Sequence, residues 1–186
     1  MTKLKTTDKL LAGFVLIFII LMSYLWFSPS GLKVVPSVEL TTISGKKLNL
    51  DSLRGKPVLV TFWATSCSGC IKEMPHLIDL HNQYASQGLT IIGISMPYDR
   101  PDHVMEMAKQ KQLPYIVAMD INKQATKAFG DIKLTPTTFL IDKRGTIVRH
   151  KIGELNMELV EQQIKTLLAS TTINNLQPAN AVKKLN

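Results

Sequence analysis

The chain has 186 residues, of which 45 % are hydrophobic and 19 % are charged, and only two are cysteines. This composition is typical of a globular protein, so it excludes collagen-like, low-complexity and wholly disordered chains, and two cysteines exclude a disulfide-stapled miniprotein. The formal net charge is +8, but the basic residues are scattered without interleaved aromatic residues, so we expect no nucleic-acid binding.

The first predicted element is an apolar helix at 10–27, which carries no charged residue. Eighteen helical residues rise about 27 Å, close to the roughly 30 Å of a bilayer's hydrocarbon core. Lysines within residues 1–9, and Tyr24 and Trp26 near the far end, favour a transmembrane anchor with residues 1–9 in the cytoplasm. The alternative is a cleaved signal peptide, but its apolar region would be shorter and no A-x-A site follows.

Two weakly patterned segments flank the rest of the chain. Residues 28–35 contain a proline and a glycine and are predicted to be a short tether. Residues 171–186 are polar and lack apolar periodicity, which predicts a flexible tail. The remaining residues, 36–170, are predicted to form one domain.

Strand and helix patterns alternate within that domain. Short apolar runs predict seven strands, at 38–42, 47–50, 58–64, 89–96, 115–119, 137–142 and 146–150. Helical spacing predicts four helices, at 68–86, 101–112, 123–129 and 157–168. The order ββ–β–α–β–α–β–α–β–β–α predicts an α/β domain with a central mixed sheet and helices on both of its faces.

Both cysteines lie in one run, Cys67-Ser68-Gly69-Cys70, between a buried strand and a helix. A helix N-terminus carries partial positive charge and free N–H groups, which stabilise a thiolate at Cys67. Cys70 lies one turn further along on the same side, where it can close a small disulfide. The placement favours Cys67 as a nucleophile and Cys70 as the thiol that resolves a mixed disulfide.

Other interpretations of the pair stay open. Two buried structural thiols would not need this spacing, and a static disulfide across four residues adds little stability. A copper or zinc module could use Cys67, Cys70 and His76, although zinc sites usually need a second pair of ligands and no second CxxC exists. A non-catalytic membrane-tethered scaffold is a further alternative. We expect neither a cofactor nor a resident metal.

The sequence also resembles a known family. GKPVLVTFWATSCSGCIKEMP (55–75) and LTPTTFLIDKRGTIV (134–148) are similar to the thioredoxin superfamily, specifically its TlpA/ResA-like membrane-anchored thiol–disulfide oxidoreductases. The resemblance covers roughly residues 36–169. It implies a thioredoxin-like fold with an N-terminal β-hairpin at 35–58 and a strand–helix insertion at about 97–114.

The resemblance implies further site residues. The Thr135–Pro136 bond would be cis and would lie against the cysteines, with the backbone of Thr135 available to an extended substrate. Glu73 would lie close to the cysteine pair, where a partly buried carboxyl could shuttle the proton of Cys70. Trp63 is expected to pack beneath the loop at 65–70, called the redox loop below, and to contribute to substrate binding.

The function that the resemblance implies is disulfide exchange with protein substrates, with reduction as the expected direction. The enzyme would work on the periplasmic or extracytoplasmic side of the cytoplasmic membrane, recharged by a membrane electron donor of the DsbD/CcdA kind. Cytochrome c maturation is one implied context, although Thr137 stands where those members often carry glutamate. Oxidase or isomerase activity in the same fold stays open.

Overall fold

The computed structural model describes the backbone of residues 6–27 and 34–175, with side chains at 13–23 and 34–169. The chain divides into two units, residues 1–31 and 32–186. Three predicted segments are described only in part. Residues 1–5 of the predicted cytoplasmic segment, 28–33 of the tether and 176–186 of the tail lie outside the described residues.

The first unit contains helix α1, Thr6–Phe27, which covers the predicted anchor at 10–27. Its described apolar side chains, from Phe14 to Met22, are exposed. Over the residues that the structure describes, no helix is both long enough and apolar enough to cross a membrane. The anchor stays a prediction of the sequence.

Among its described residues, the second unit contains seven strands and four helices. The strands are β1 (Glu39–Thr42), β2 (Lys47–Asn49), β3 (Val58–Trp63), β4 (Thr90–Ser95), β5 (Ile116–Met119), β6 (Thr137–Ile141) and β7 (Ile147–Ile152). The helices are α2 (Ser68–Tyr84), α3 (Pro101–Gln110), α4 (Gln124–Ala128) and α5 (Met157–Asn175). Short 3₁₀ helices cover Leu50–Leu53 and Ala85–Gln87.

The strands form one mixed sheet in the order β2-β1-β5-β4-β3-β6-β7. The central strands β3, β4 and β5 are parallel, whereas β1, β2, β6 and β7 pair antiparallel with their neighbours. Every residue of β3 is buried, which explains its near-continuous apolar run. The predicted α/β class and mixed sheet are confirmed.

Two hydrophobic clusters cover opposite faces of the sheet, because successive side chains of a strand point to opposite faces. Leu59 of β3 lies in the first cluster with residues of α2, α3 and α5. Val58 and Val60 lie in the second, which includes Ala125 of α4 and Leu50 of the first 3₁₀ helix. Helices therefore cover both faces, as the element order predicts.

The structure differs from the sequence-based boundaries mainly at the C-terminus. Helix α5 continues to Asn175, seven residues beyond the predicted end at Leu168 and into the predicted tail at 171–186. No glycine or proline occurs between Met157 and Asn175, so the local sequence contains no residue that would break the helix at 168.

Candidate active site

The two cysteines meet at the junction of β3 and α2. A turn in which the N–H of Cys67 donates to the carbonyl of Ala64, at 3.1 Å, leads the chain from the sheet into the helix. Cys67 caps α2, and its sulfur accepts the N–H of Cys70 at 3.2 Å. The pair forms a disulfide with its Cα atoms 5.3 Å apart. The expected closeness of Cys67 and Cys70 is confirmed.

The two sulfur-bearing residues differ in exposure. Cys67 is half-buried, whereas Cys70 is only 3 % exposed and packs in the hydrophobic cluster beneath the redox loop. An incoming protein thiol or disulfide therefore has access to Cys67 before Cys70. This asymmetry accords with Cys67 as the nucleophile and Cys70 as the resolving thiol, because exchange depends on access to the sulfur, and both roles stay predictions.

Glu73 is a buried carboxyl one turn after Cys70, with 4 % of its surface exposed. Burial raises the pKa of Glu73, because desolvation disfavours its charged form, and the carboxylate of Glu154 adds to that rise. The N–H of Leu155 donates a hydrogen bond to the Glu73 carboxylate and partly offsets the rise. The site thus holds a carboxyl that keeps its proton to a higher pH than an ordinary glutamate.

The Thr135–Pro136 peptide bond is cis, as the resemblance implies. Pro136 lies against the redox loop, since a Cβ added to Gly69 would be 3.6 Å from the Cδ of Pro136. Thr135 is half-buried and Pro136 is buried. The structure therefore brings the loop between α4 and β6, called the proline loop below, to the cysteine pair. The substrate-binding role of Thr135 and Pro136 stays a prediction.

Trp63, the last residue of β3, is 3 % exposed. It packs in the same cluster as Cys70 and Met74, and its Nε1 has no hydrogen-bond partner among the described residues. This position accords with packing beneath the redox loop. The further expectation that Trp63 binds substrate stays a prediction.

The connection between β7 and α5 reaches the site, which the sequence did not indicate by any motif. The N–H of Gly153 donates to the carbonyl of Pro136 at 2.8 Å. Strand pairing explains this contact, because Ile152 of β7 lies opposite Thr137 of β6. The signal was present in the predicted hairpin: residues just after its second strand must lie beside those just before its first.

Glu154 of the same connection lies over the redox loop. A Cβ on Gly69 would be 3.5 Å from both the Cγ and the Oε1 of Glu154. The other carboxylate oxygen of Glu154 forms an exposed ion pair with Lys72 at 3.0 Å. A second, exposed carboxylate therefore lies against Gly69, and its negative charge acts on the buried Glu73.

An open groove of about 410 Å³ lies beside Thr65 and Ser66, the two residues that precede Cys67. Thr65 and Ser66 of the redox loop form one wall of the groove. The other wall is one face of α3, formed by His103, Glu106, Met107 and Gln110. The sequence indicated α3 as part of an insertion but did not indicate that this face lies across a groove from Thr65 and Ser66.

The metal-handling alternative proposed Cys67, Cys70 and His76 as ligands. The two cysteines are joined in a disulfide. Within the part of the chain that the structure describes, no group of three or more histidine, cysteine, aspartate or glutamate side chains could hold a metal ion.

Known proteins have similar sequences. The family described as Redoxin matches residues 29–168. Thiol-disulfide oxidoreductase ResA of Bacillus thuringiensis subsp. konkukian is 37 % identical over 136 residues, covering 73 % of this chain and 77 % of that protein. Protein DipZ of Mycobacterium bovis is 33 % identical over 159 residues, covering 77 % of this chain and 23 % of that protein.

Solved structures share the fold. A thiol:disulfide interchange protein of the thioredoxin family from Chlorobium tepidum TLS matches with a TM-score of 0.67 and 28 % identity, over 76 % of this chain and 99 % of that one. The thioredoxin-like fold and the protein-disulfide oxidoreductase activity are thereby confirmed. The chain belongs to the Redoxin family, as a ResA-like thiol–disulfide oxidoreductase of the thioredoxin superfamily.

Proposed function

We propose that this enzyme reduces disulfides in protein substrates outside the cytoplasm while the helix at 10–27 holds it at the cytoplasmic membrane. The observation that carries the proposal is the graded exposure of the site. Cys67 is half-buried, whereas Cys70 and Glu73 are both nearly closed to solvent, at 3 % and 4 % exposure.

The reduced enzyme would act in two exchange steps. The Cys67 thiolate attacks one sulfur of the substrate disulfide, so that a mixed disulfide forms and the other substrate sulfur leaves as a thiolate. Cys70 then loses its proton and attacks the sulfur of Cys67, which releases the first substrate sulfur. Two electrons pass to the substrate, and the enzyme keeps the Cys67–Cys70 disulfide.

Glu73 would serve the second step. Cys70 is buried, and a buried thiol needs a nearby base before it can attack. Because burial raises the pKa of Glu73, its carboxyl can hold the Cys70 proton at a pH where an ordinary glutamate could not. The hydrogen bond from Leu155 keeps one carboxylate oxygen of Glu73 in place.

One sequence feature supports the location, and the location in turn supports the electron source. The apolar run at 10–27 follows lysines and carries no charge, which favours a single anchor with the domain on the extracytoplasmic side. In an oxidising compartment a reductant must itself be reduced again, so the proposal includes a membrane dithiol donor of the DsbD/CcdA kind.

A c-type apocytochrome is the substrate that the resemblance implies. Such a substrate would present a cysteine pair in an extended segment, which Thr135 could bind through its backbone. Thr137, whose hydroxyl donates to the carbonyl of Leu134 at 2.7 Å, stands where family members with that role often carry glutamate. The substrate is therefore best identified by trapping.

The test is substrate trapping with Cys70→Ser in the full chain. Without a resolving thiol, the enzyme should accumulate mixed disulfides through Cys67, and mass spectrometry identifies the partner. The Cys67→Ser/Cys70→Ser variant is the matched control and should trap nothing. Failure of Cys70→Ser to trap any protein would overturn the proposal.

Direction is tested separately by titrating the purified protein against glutathione. A reduction potential well below about −200 mV supports a reductant, because a dithiol passes its electrons to disulfides of higher potential. A potential near that of a strong oxidant, about −120 mV, would overturn the proposed direction.

A further inference from the structure

Asp99 holds the redox loop from outside the cysteine motif. It lies in the connection between β4 and α3, thirty-four residues after the residue it contacts. Its Oδ2 accepts the main-chain N–H of Thr65 at 2.6 Å, and its Oδ1 accepts the hydroxyl proton of the same threonine. Both oxygens of one carboxylate are therefore directed at a single residue, two positions before Cys67.

Both ends of this contact are fixed. The N–H of Asp99 donates to the carbonyl of Met96 at 3.0 Å, and the N–H of Met96 donates to the carbonyl of Trp63 at 2.9 Å. On the other side, Thr65 lies within the turn closed by the hydrogen bond between Cys67 and Ala64. The carboxylate thus connects a chain segment anchored to the sheet with the turn that leads into α2.

Hydrogen bonds to an ionised carboxylate are stronger than those between neutral groups. Here one of them fixes the peptide plane of Thr65 and the other fixes its side-chain rotamer. Neither the main chain nor the side chain of Thr65 can turn without losing a contact. The two hydrogen bonds together restrict the conformation of the turn from Ala64 to Cys67.

We infer that Asp99 is a positioning residue for the thiol exchange: through Thr65 it fixes the turn that places the sulfur of Cys67 at the N-terminus of α2. The inference rests on the proposed exchange at Cys67. Without Asp99 the turn relaxes, and the sulfur spends less time where the N–H groups of the helix stabilise its thiolate.

The same contact shapes the surface beside Cys67. Thr65 and Ser66 form one wall of the groove described above, and Asp99 lies two residues before α3, which forms the other wall. Loss of the hydrogen bonds to Asp99 would therefore make Thr65 more mobile and would also affect how a protein substrate binds next to the reacting sulfur.

The experiment measures the rate at which iodoacetamide alkylates Cys67 in full-length protein carrying Cys70→Ser, so that one thiol reacts. Asp99→Ala should slow alkylation about tenfold at neutral pH, because weaker contact with the helix N–H groups leaves less of Cys67 as the reactive thiolate. This effect should outweigh the loss of the Asp99 negative charge, which by itself would favour the thiolate. The midpoint of the alkylation rate as a function of pH should also move to higher pH in Asp99→Ala. Asp102→Ala, which removes an exposed carboxylate paired with Arg100, is the matched control and should react like the parent.

Two threonine variants separate positioning from general loss of structure. Thr65→Val keeps the N–H contact but loses the hydroxyl contact, so it should slow alkylation by a smaller factor, about threefold. Thr65→Ser keeps both donors and should recover most of the parent rate. The double variant Asp99→Ala/Thr65→Val should be no slower than Asp99→Ala, since both substitutions remove one coupled interaction.

An alkylation rate and pH profile in Asp99→Ala equal to those of Asp102→Ala would overturn the inference. Additive effects in the double variant would do so as well, because Asp99 would then act without Thr65. The readout needs no protein substrate and no electron donor, so it stands even if trapping shows that the proposed direction or substrate is wrong.

Discussion

The main-chain N–H of Leu155 donates a hydrogen bond to the carboxylate of Glu73, which lies eighty-two residues earlier in the chain. This contact ties the connection between β7 and α5 to the buried acid beside the cysteines. Its neighbours in the same connection, Gly153 and Glu154, contact Pro136 and the redox loop. One short connection therefore reaches the acid, the proline and the redox loop.

The first prediction concerns Glu73→Gln in the oxidised protein. Glutamine keeps an oxygen that can accept the N–H of Leu155 but removes the ionisation. Because burial raises the pKa of Glu73, ionisation costs the folded state stability that the unfolded chain does not lose. That cost is absent below the ordinary glutamate pKa of about 4.3 and is complete above the raised folded-state pKa.

We therefore expect Glu73→Gln to have the parent Tm near pH 4 and a Tm a few degrees higher near pH 8. Thermal unfolding followed by circular dichroism across this range checks the difference. Glu158→Gln, an exposed residue in the first turn of α5, is the control and should show no such trend. A Tm difference that is the same at every pH would contradict the prediction.

The second prediction concerns Glu154→Gln. The negative charge of Glu154 contributes to the raised pKa of Glu73, so its removal should lower that pKa. The effect on stability should stay under about 1 kcal/mol, because the ion pair of Glu154 with Lys72 is exposed to solvent.

The measurement is the carboxyl carbon signal of Glu73 in an NMR titration. The midpoint should move to lower pH in Glu154→Gln and stay in place in Glu158→Gln. An unchanged midpoint would show that Glu154 does not act on the buried acid, whereas an upward movement would give the wrong sign.

The third prediction concerns Gly69→Ala. The added methyl group would stand 3.5 Å from Glu154 and 3.6 Å from Pro136, which are ordinary contact distances, so the variant should fold. Alanine in the first turn of α2 should leave stability unchanged or raise it by up to about 1 kcal/mol. The methyl group narrows the space between the redox loop and the proline loop, where an extended substrate would lie.

Steady-state kinetics with a protein disulfide and with a small-molecule disulfide separates these effects. Gly69→Ala should raise KM several-fold for the protein and leave the small disulfide nearly unaffected. Equal changes for both substrates would indicate altered cysteine chemistry and contradict a steric effect on binding.

Much of the fold could be predicted from the sequence because it depends on local sequence patterns. The buried run of β3, the helix start after Cys67 and the stop at Gly88, which has a φ of 108°, all depend on residues close together in the chain. The cysteine pair was readable for the same reason, since four residues hold both the thiols and the helix N-terminus.

Local sequence patterns could not predict the contacts of Asp99, Glu154 and Leu155. Asp99 reaches Thr65, and Leu155 reaches Glu73, only after the sheet order has placed distant connections side by side. No local pattern marks such residues, because their neighbours are fixed by strand pairing. The hairpin register alone could have placed Gly153 near Pro136.

The last prediction concerns the packing of Trp63 against Gly93 of β4. A Cβ on Gly93 would lie 3.1 Å from the Nε1 of Trp63 and 3.4 Å from the Cε2 of Tyr115. The first distance is shorter than an ordinary van der Waals contact, and the rings of Trp63 and Tyr115 are both buried. Gly93→Ala should therefore destabilise the domain by about 1–3 kcal/mol, the usual cost of overpacking a core.

Urea denaturation of four proteins tests whether the indole is the cause: the parent, Gly93→Ala, Trp63→Phe and the double variant. Phenylalanine lacks the ring that carries Nε1, so in its presence the alanine methyl group gains room. The free-energy cost of Gly93→Ala should then fall well below its cost in the parent, giving a coupling energy of about 1 kcal/mol. Equal costs in the two backgrounds would show that the methyl group is excluded by Tyr115 or by the strand itself.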